Sequence, residues 1–256
     1  MADVSLFVAA TIPVMILLGA RHALDLDHIA AIDNLVRLRN AASSARWVGS
    51  LFSIGHMLAV CAEMVAVVYT VKSLEAQSSF QVLGGLVGAL LLAAIGGFNL
   101  YSVKRHGRSG FGALAQRLAG TTTFAGRLGS PLLVGFVFGL GFDTATQISA
   151  LTVSAVASAT QGLQVALLLA GFFALGMIPT DTLDSLVLRE TFSRISGSGG
   201  FRMLSYGLSM VALVLAFSEG AGALAGVDLL PPWSGPVLAL SVILVATSFY
   251  YFREMR

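Results

Sequence analysis

The sequence predicts an all-α, polytopic membrane protein, and three observations carry that prediction. Only 11% of its 256 residues are charged and 56% are hydrophobic, whereas soluble domains carry about 25% charged residues. Mean hydropathy is +0.86. Apolar segments recur at 4–36, 47–71, 80–103, 131–156, 162–188, 203–225 and 236–252. Each is long enough for a helical span and too unalternating for a barrel strand. The connections alternate in basic charge, as the positive-inside rule demands. The expectation is about seven transmembrane helices in a single integral membrane domain, 1–256.

Segment 4–36 is long for one span at about 1.5 Å per residue, yet each half is short for a hairpin. It reads as one long, tilted or interrupted helix, with an eight-span hairpin as the alternative. The first connection, 37–46, holds Arg37, Arg39 and Arg46, and 72–79 has only Lys72 against Glu75. The 104–130 connection carries Lys104, Arg105, Arg108, Arg117 and Arg127, and 157–161 is uncharged. Arg189, Arg194 and Arg202 follow the next span, and Arg253 and Arg256 close the chain. This pattern puts 37–46, 104–130, 189–202 and the C-terminus in the cytoplasm. It also makes 104–130 a cytoplasmic loop between two helix groups. Trp47, Tyr69, Trp233, Tyr250 and Tyr251 fall near span ends, as an aromatic belt does. Met1-Ala2-Asp3 lacks a basic leader region, so Val4 to Ala20 reads as an uncleaved anchor. A net charge of +2 held in loops gives no reason to expect nucleic acid, and lone Cys61 supports neither a disulfide nor a thiolate cluster. No soluble domain or internal repeat is evident.

The densest chemistry is the run Arg21-His22-Ala23-Leu24-Asp25-Leu26-Asp27-His28-Ile29-Ala30-Ala31-Ile32-Asp33-Asn34. Ionisable groups at membrane depth are expensive and therefore point to function. Imidazole with carboxylate is a ligand set for a divalent transition metal. On a continuous helix His22, Asp25 and His28 form an i, i+3, i+6 ridge within an arc of about 120°, which makes them ligands. Asp33 returns near the azimuth of His22. Asp27 points elsewhere, to orient a histidine or pair with Arg21, unless the backbone unwinds near Gly19 and turns it inward. Arg21 is a counter-ion for a nearby carboxylate or a snorkelling side chain. The plainer reading, polar bonds between helices, leaves unpaired groups costing several kcal/mol each.

Further polar groups lie inside later spans. Gly55-His56 lets a neighbouring backbone approach the imidazole, with Glu63 two turns on along the same face. Asn99 reads as an interhelical hydrogen bonder. Gly135, Gly139 and Gly141 form a small-residue face, followed by Asp143, Thr144, Thr146 and Gln147. Pro179 precedes Asp181 and Asp184, i, i+3 neighbours on one face. A cytoplasmic helix end near Arg189 is the ordinary explanation of the last two.

These stations together resemble the nickel/cobalt transporter family (NiCoT permeases). The family's motif helix reads approximately R-H-A-[VF]-D-A-D-H-I-A-A-I-D-N, which residues 21–34 match almost throughout. Its other signatures are similar to Phe52-Ser53-Ile54-Gly55-His56, to Leu140-Gly141-Phe142-Asp143-Thr144-Ala145-Thr146, and to Gly176-Met177 with Asp181-Thr182 and Asp184. The resemblance implies that His22, Asp25, Asp27 and His28 serve metal recognition, and that His56, Asp143 and Asp181 support the pathway. It also implies high-affinity import of Ni²⁺ or Co²⁺. Leu24 and Leu26 stand where the family has Val or Phe and Ala. Met57 replaces a common Ser or Thr, and Gln147 a common Glu.

The expected function is therefore a permease of the cytoplasmic membrane whose cargo is Ni²⁺ or Co²⁺, with no resident cofactor. Metal sits on His22, Asp25, Asp27, His28 and His56; Arg21, Asp33, Asp143, Thr144, Asp181 and Asp184 serve the pathway or its coupling. Uptake should weaken as histidine protonates. The rivals are an exporter of the same metals, usually marked by a His-rich loop where 104–130 has only His106, and an intramembrane metalloenzyme. With no G-x-x-x-x-G-K-[ST] run in the chain, any ATP-driven step would fall to a separate partner.

Overall fold

At membrane depth no water satisfies backbone amides, so an apolar chain closes its hydrogen bonds within helices. The computed structural model describes residues 2–39, 43–70, 74–106, 130–140, 145–195, 199–227 and a few positions from 229 to 241. Among the described residues there are eight α-helices and no strand. They are α1 (Ala2–His22), α2 (Leu26–Leu38), α3 (Val48–Thr70), α4 (Leu74–His106), α5 (Pro131–Gly139), α6 (Ala145–Gln161), α7 (Leu163–Ile195) and α8 (Gly199–Ala225), with a short 3-10 helix, Ser43–Trp47, leading into α3.

Among the described residues four stretches are long and apolar enough to cross a membrane alone: Ser43–Val65, Gly85–Arg105, Leu163–Ser193 and Arg202–Ala225. A fifth crossing is available to α1 and α2 together, which bend by 55° at their break. That bend is an interruption; it falls far short of the reversal an eight-span hairpin needs. The expected continuous span 131–156 is instead two helices. Α5 stops at Gly139, where the backbone of His56 leaves no room for a side chain, and α6 starts at Ala145. Apart from Val237 and Ser241, segment 236–252 lies outside the described residues, as does most of the 104–130 connection. Gly162, at φ 94°, makes the tight turn from α6 into α7.

Close helix crossings organise the molecule: at Gly49 of α3 a Cβ would strike the Asp181 carbonyl of α7, and two further crossings are reciprocal. At Gly55 of α3 a Cβ would strike the Leu132 carbonyl, and at Gly135 of α5 one would strike the Phe52 carbonyl. At Gly19 of α1 the obstacle is the Phe173 carbonyl, and at Gly176 of α7 it is the Ile16 carbonyl. In both crossings each glycine meets the backbone three residues before the other, so backbones touch directly, as small residues permit in membrane helices.

Two apolar clusters fill the interior. One gathers Ile32, Leu35, Phe52, Leu92, Phe138, Leu188 and Phe192. The other gathers Met15, Met57, Val60, Met64, Phe173 and Met177. Leu17, Leu83, Leu90, Leu175 and Phe217 face outward, a surface suited to lipid rather than water. Trp47 and Trp233 are exposed as well.

Candidate metal site

Helix α1 does not continue through the motif. Its last turn tightens, with Leu24 N–H donating to Arg21 O (3.1 Å) and Asp25 N–H to His22 O (2.9 Å). Asp25 then takes an extended backbone (φ −70°, ψ 151°) as the residue before α2. Aspartate favours that position because its carboxylate can cap the new helix. Here it does not cap. The carboxylate turns to Arg21, with which it forms an ion pair, and accepts from His22 Nδ1–H at 3.1 Å.

The break replaces the expected ridge. On a continuous helix, residues six apart are separated by about 9 Å of rise. The rings of His22 and His28 instead lie 4.4 Å apart, centre to centre. His56 of α3 completes the set, 5.0 Å from the His22 ring and 4.8 Å from the His28 ring. Each histidine offers a ring nitrogen within 4.8 Å of the others, and all three are buried. Phe173 flanks His22 and Phe52 flanks His28, so the imidazoles sit where the two apolar clusters meet.

Carboxylates set the tautomers. A carboxylate can only accept, so His22 Nδ1 carries the proton toward Asp25 and Nε2 keeps a lone pair. His28 Nδ1–H likewise donates to Asp181 Oδ2 at 3.3 Å, and among the described residues His28 Nε2 has no hydrogen-bond partner. His22 Nε2 and His56 Nε2 are 3.1 Å apart; with His22 accepting, the proton between them belongs to His56. A cation seated on both nitrogens displaces that proton. Carboxylate–histidine pairs around converging lone pairs are the usual support of a metal site.

The remaining expected residues are placed as follows. Asp27, buried in the first turn of α2, lies with Asp25 within electrostatic reach of His28. Asp181, on α7, also accepts from Ser53 Oγ at 2.6 Å, which ties α3 to α7. Asp184 is one turn further along α7, half-buried. Asp143 and Thr144 lie outside the described residues. Backbone unwinding falls at Ala23–Asp25 and not at Gly19, which packs inside α1.

One reading needs correction. Arg37 belongs to α2 and not to a loop, and it is fully buried. It donates to Asp33 Oδ2 through Nε (3.0 Å) and Nη2 (2.8 Å), to Asn34 Oδ1 (2.8 Å), to Ser205 O (2.9 Å) and to Ser209 Oγ (3.0 Å). Asn99 of α4 donates to Asn34 Oδ1 at 2.7 Å, so it does bond between helices. The i, i+4 spacing of Asp33 and Arg37 was the available signal. Ser53 was equally unassigned, and nothing in its sequence neighbourhood points to a partner 128 positions away.

Comparisons with known proteins agree with this arrangement. The family model NicO, described as high-affinity nickel-transport protein, matches residues 8–112 and 112–230. The hydrogenase nickel incorporation protein HupN of Bradyrhizobium diazoefficiens is 31% identical over 83% of this chain and 62% of its own length. The high-affinity nickel-transport protein NixA of Helicobacter pylori strain J99 is 32% identical over 82% of this chain and 71% of its own. The cobalt transport protein NhlF of Rhodococcus rhodochrous is 33% identical over 69% and 58%. The match thus spans about three fifths of HupN and NhlF. No solved structure matches. With both the family model and these relatives covering most of its length, the chain belongs to the NicO family of high-affinity nickel-transport proteins.

Proposed function

We propose that the chain is a non-enzymatic secondary permease that imports Ni²⁺, Co²⁺ or both across the cytoplasmic membrane, with the 37–46 connection and the C-terminus on the cytoplasmic side. The observation that carries this reading is the convergence of His22, His28 and His56, three buried imidazoles within 4.8 Å of one another. Three nitrogen donors bind such cations more tightly than the same number of carbonyls or waters. Asp25 and Asp181 hold two of the rings, while Asp25, Asp27 and Asp181 bring negative charge close to a divalent ion. Asp33 and Asp184 serve its onward path. Asp143 and Thr144, alike in kind to these, are assigned there by motif. The names of HupN, NixA and NhlF, nickel for two and cobalt for the third, support both cargoes.

The test is uptake of radioactive nickel into proteoliposomes, competed with Co²⁺ and Zn²⁺, alongside His22→Ala. Saturable uptake that is competed by Co²⁺ and lost in the variant supports import. Tight binding without accumulation in the vesicles points to a resident-metal enzyme or sensor and sinks the proposal.

A further inference from the structure

Ser53 lies one turn before His56 on α3 and is fully buried. A serine inside a helix ordinarily bonds back to the carbonyl four residues earlier, and Gly49 O is 2.8 Å from Ser53 Oγ. Asp181 Oδ2 is closer, at 2.6 Å. A hydroxyl carries a single proton and cannot donate fully to both. The helix ladder supplies the Gly49 carbonyl with a donor in any case, whereas a bond to a carboxylate is shorter and stronger than one to a neutral oxygen. The proton therefore goes to Asp181, across the seam between α3 and α7.

That bond leads to a histidine. The same Asp181 Oδ2 accepts from His28 Nδ1–H at 3.3 Å, and among the described residues Asp181 Oδ1 has no hydrogen-bond partner. One carboxylate oxygen is thus held from two helices, by Ser53 of α3 and His28 of α2, while α7 carries it. Without Ser53, the anchor left to this carboxylate is His28 itself, and a carboxylate that can rotate no longer fixes the ring it holds. The backbone sets the reach. A Cβ at Gly49 would strike the Asp181 carbonyl, so the two helices touch there and a side chain as short as serine spans the seam.

We propose that Ser53 is a specificity-determining residue: acting through Asp181, it fixes the direction in which His28 Nε2 presents its lone pair, and so favours Ni²⁺ over Zn²⁺. The donor types at this site suit both ions, and geometry has to separate them. Zn²⁺ has no directional demand from its d electrons and follows a ring that tilts. Ni²⁺ prefers donors along fixed axes and loses affinity when one strays. Ser53 is a positioning residue and touches no cargo. This deepens the importer reading and rests on its use of His28 as a ligand.

The test is the Ni²⁺ and Zn²⁺ affinity of the full chain in nanodiscs, measured by equilibrium dialysis. Ser53→Ala should weaken Ni²⁺ binding about tenfold, the low end for a group behind a ligand, and Zn²⁺ binding by less than about threefold. Ser50 is the control, because its hydroxyl meets Thr182 Oγ1 at 2.8 Å across the same seam, one turn from Ser53. Ser50→Ala should leave both affinities within about threefold. The proposal is overturned if Ser53→Ala leaves Ni²⁺ affinity unchanged, if Ni²⁺ and Zn²⁺ fall alike, or if Ser50→Ala lowers Ni²⁺ affinity as much. The last two results are the marks of a loosened seam. His28→Ala in the same assay keeps the two readings apart. Ni²⁺ bound there as in the native chain sinks the histidine site itself, whereas Ni²⁺ lost there but kept in Ser53→Ala sinks the role of Ser53 alone.

Discussion

The two ends of α2 are built from similar residues to opposite purpose. At its C-terminal end Arg37 makes five donations, and Asp33, Asn34, Asn99, Ser205 and Ser209 are drawn into one network across α2, α4 and α8. At its N-terminal end the groups are equally buried, but among the described residues His28 Nε2 has no hydrogen-bond partner and three rings crowd together. A guanidinium that spends its N–H groups on acceptors ties helices into a scaffold, even with Asp33 Oδ1, Asn99 Oδ1 and Ser205 Oγ left over; imidazoles whose ring nitrogens lie within 4.8 Å of one another offer donors to a cation. Burial alone does not separate scaffold from site, and the chemistry of the groups turned toward one another does.

Four substitutions would break or sharpen that contrast. The largest effect is expected of His28→Ala, which removes a central donor at the open end: nickel uptake into proteoliposomes should be lost while the thermal midpoint stays near that of the native chain. Arg37→Leu at the other end should do the reverse first. Leaving Asp33 buried without its cation should destabilise the fold by about 3–5 kcal/mol, seen as a large fall in the thermal midpoint in detergent. Should His28→Ala prove the more destabilising of the two, the distinction drawn between the ends is wrong. Asp25→Asn keeps the shape but loses the charge that steers His22, and about 10–100-fold of Ni²⁺ affinity should go with it, measured by equilibrium dialysis. The smallest effect belongs to Asn99→Ala, whose lost donation should cost about 1 kcal/mol of stability and leave Ni²⁺ affinity unchanged.

The sequence carried the residue types well and the geometry poorly. Long uncharged runs read as helices because nothing else satisfies a backbone in lipid, and His22, His28 and His56 stood out as costly groups at depth. Their arrangement did not follow. Ala23, Leu24 and Asp25 include no glycine or proline, so periodicity ran straight through the break that brings His22 to His28. In retrospect Asp25 was the cue, being a residue type that begins helices. Arg37 was counted among loop cations because its helix ends at the next residue, and its depth is set by α8, which no local pattern reveals. Asp181 reaches His28 over 153 positions, a contact that only packing creates.

The glycine crossings have a mechanical consequence. Where two backbones touch without intervening side chains there is little to slide or repack, so α1 with α7, and α3 with α5, behave as two stiff struts. His22 is mounted on the first strut and His56 on the second, and the struts meet where Gly49 lies against the Asp181 backbone and Ser53 bonds the Asp181 carboxylate. Any motion that parts the struts pulls those two imidazoles off a common ion, and any ion that grips both resists the motion. On the proposed function, grip on the cargo and separation of the struts are therefore linked: whatever favours one opposes the other.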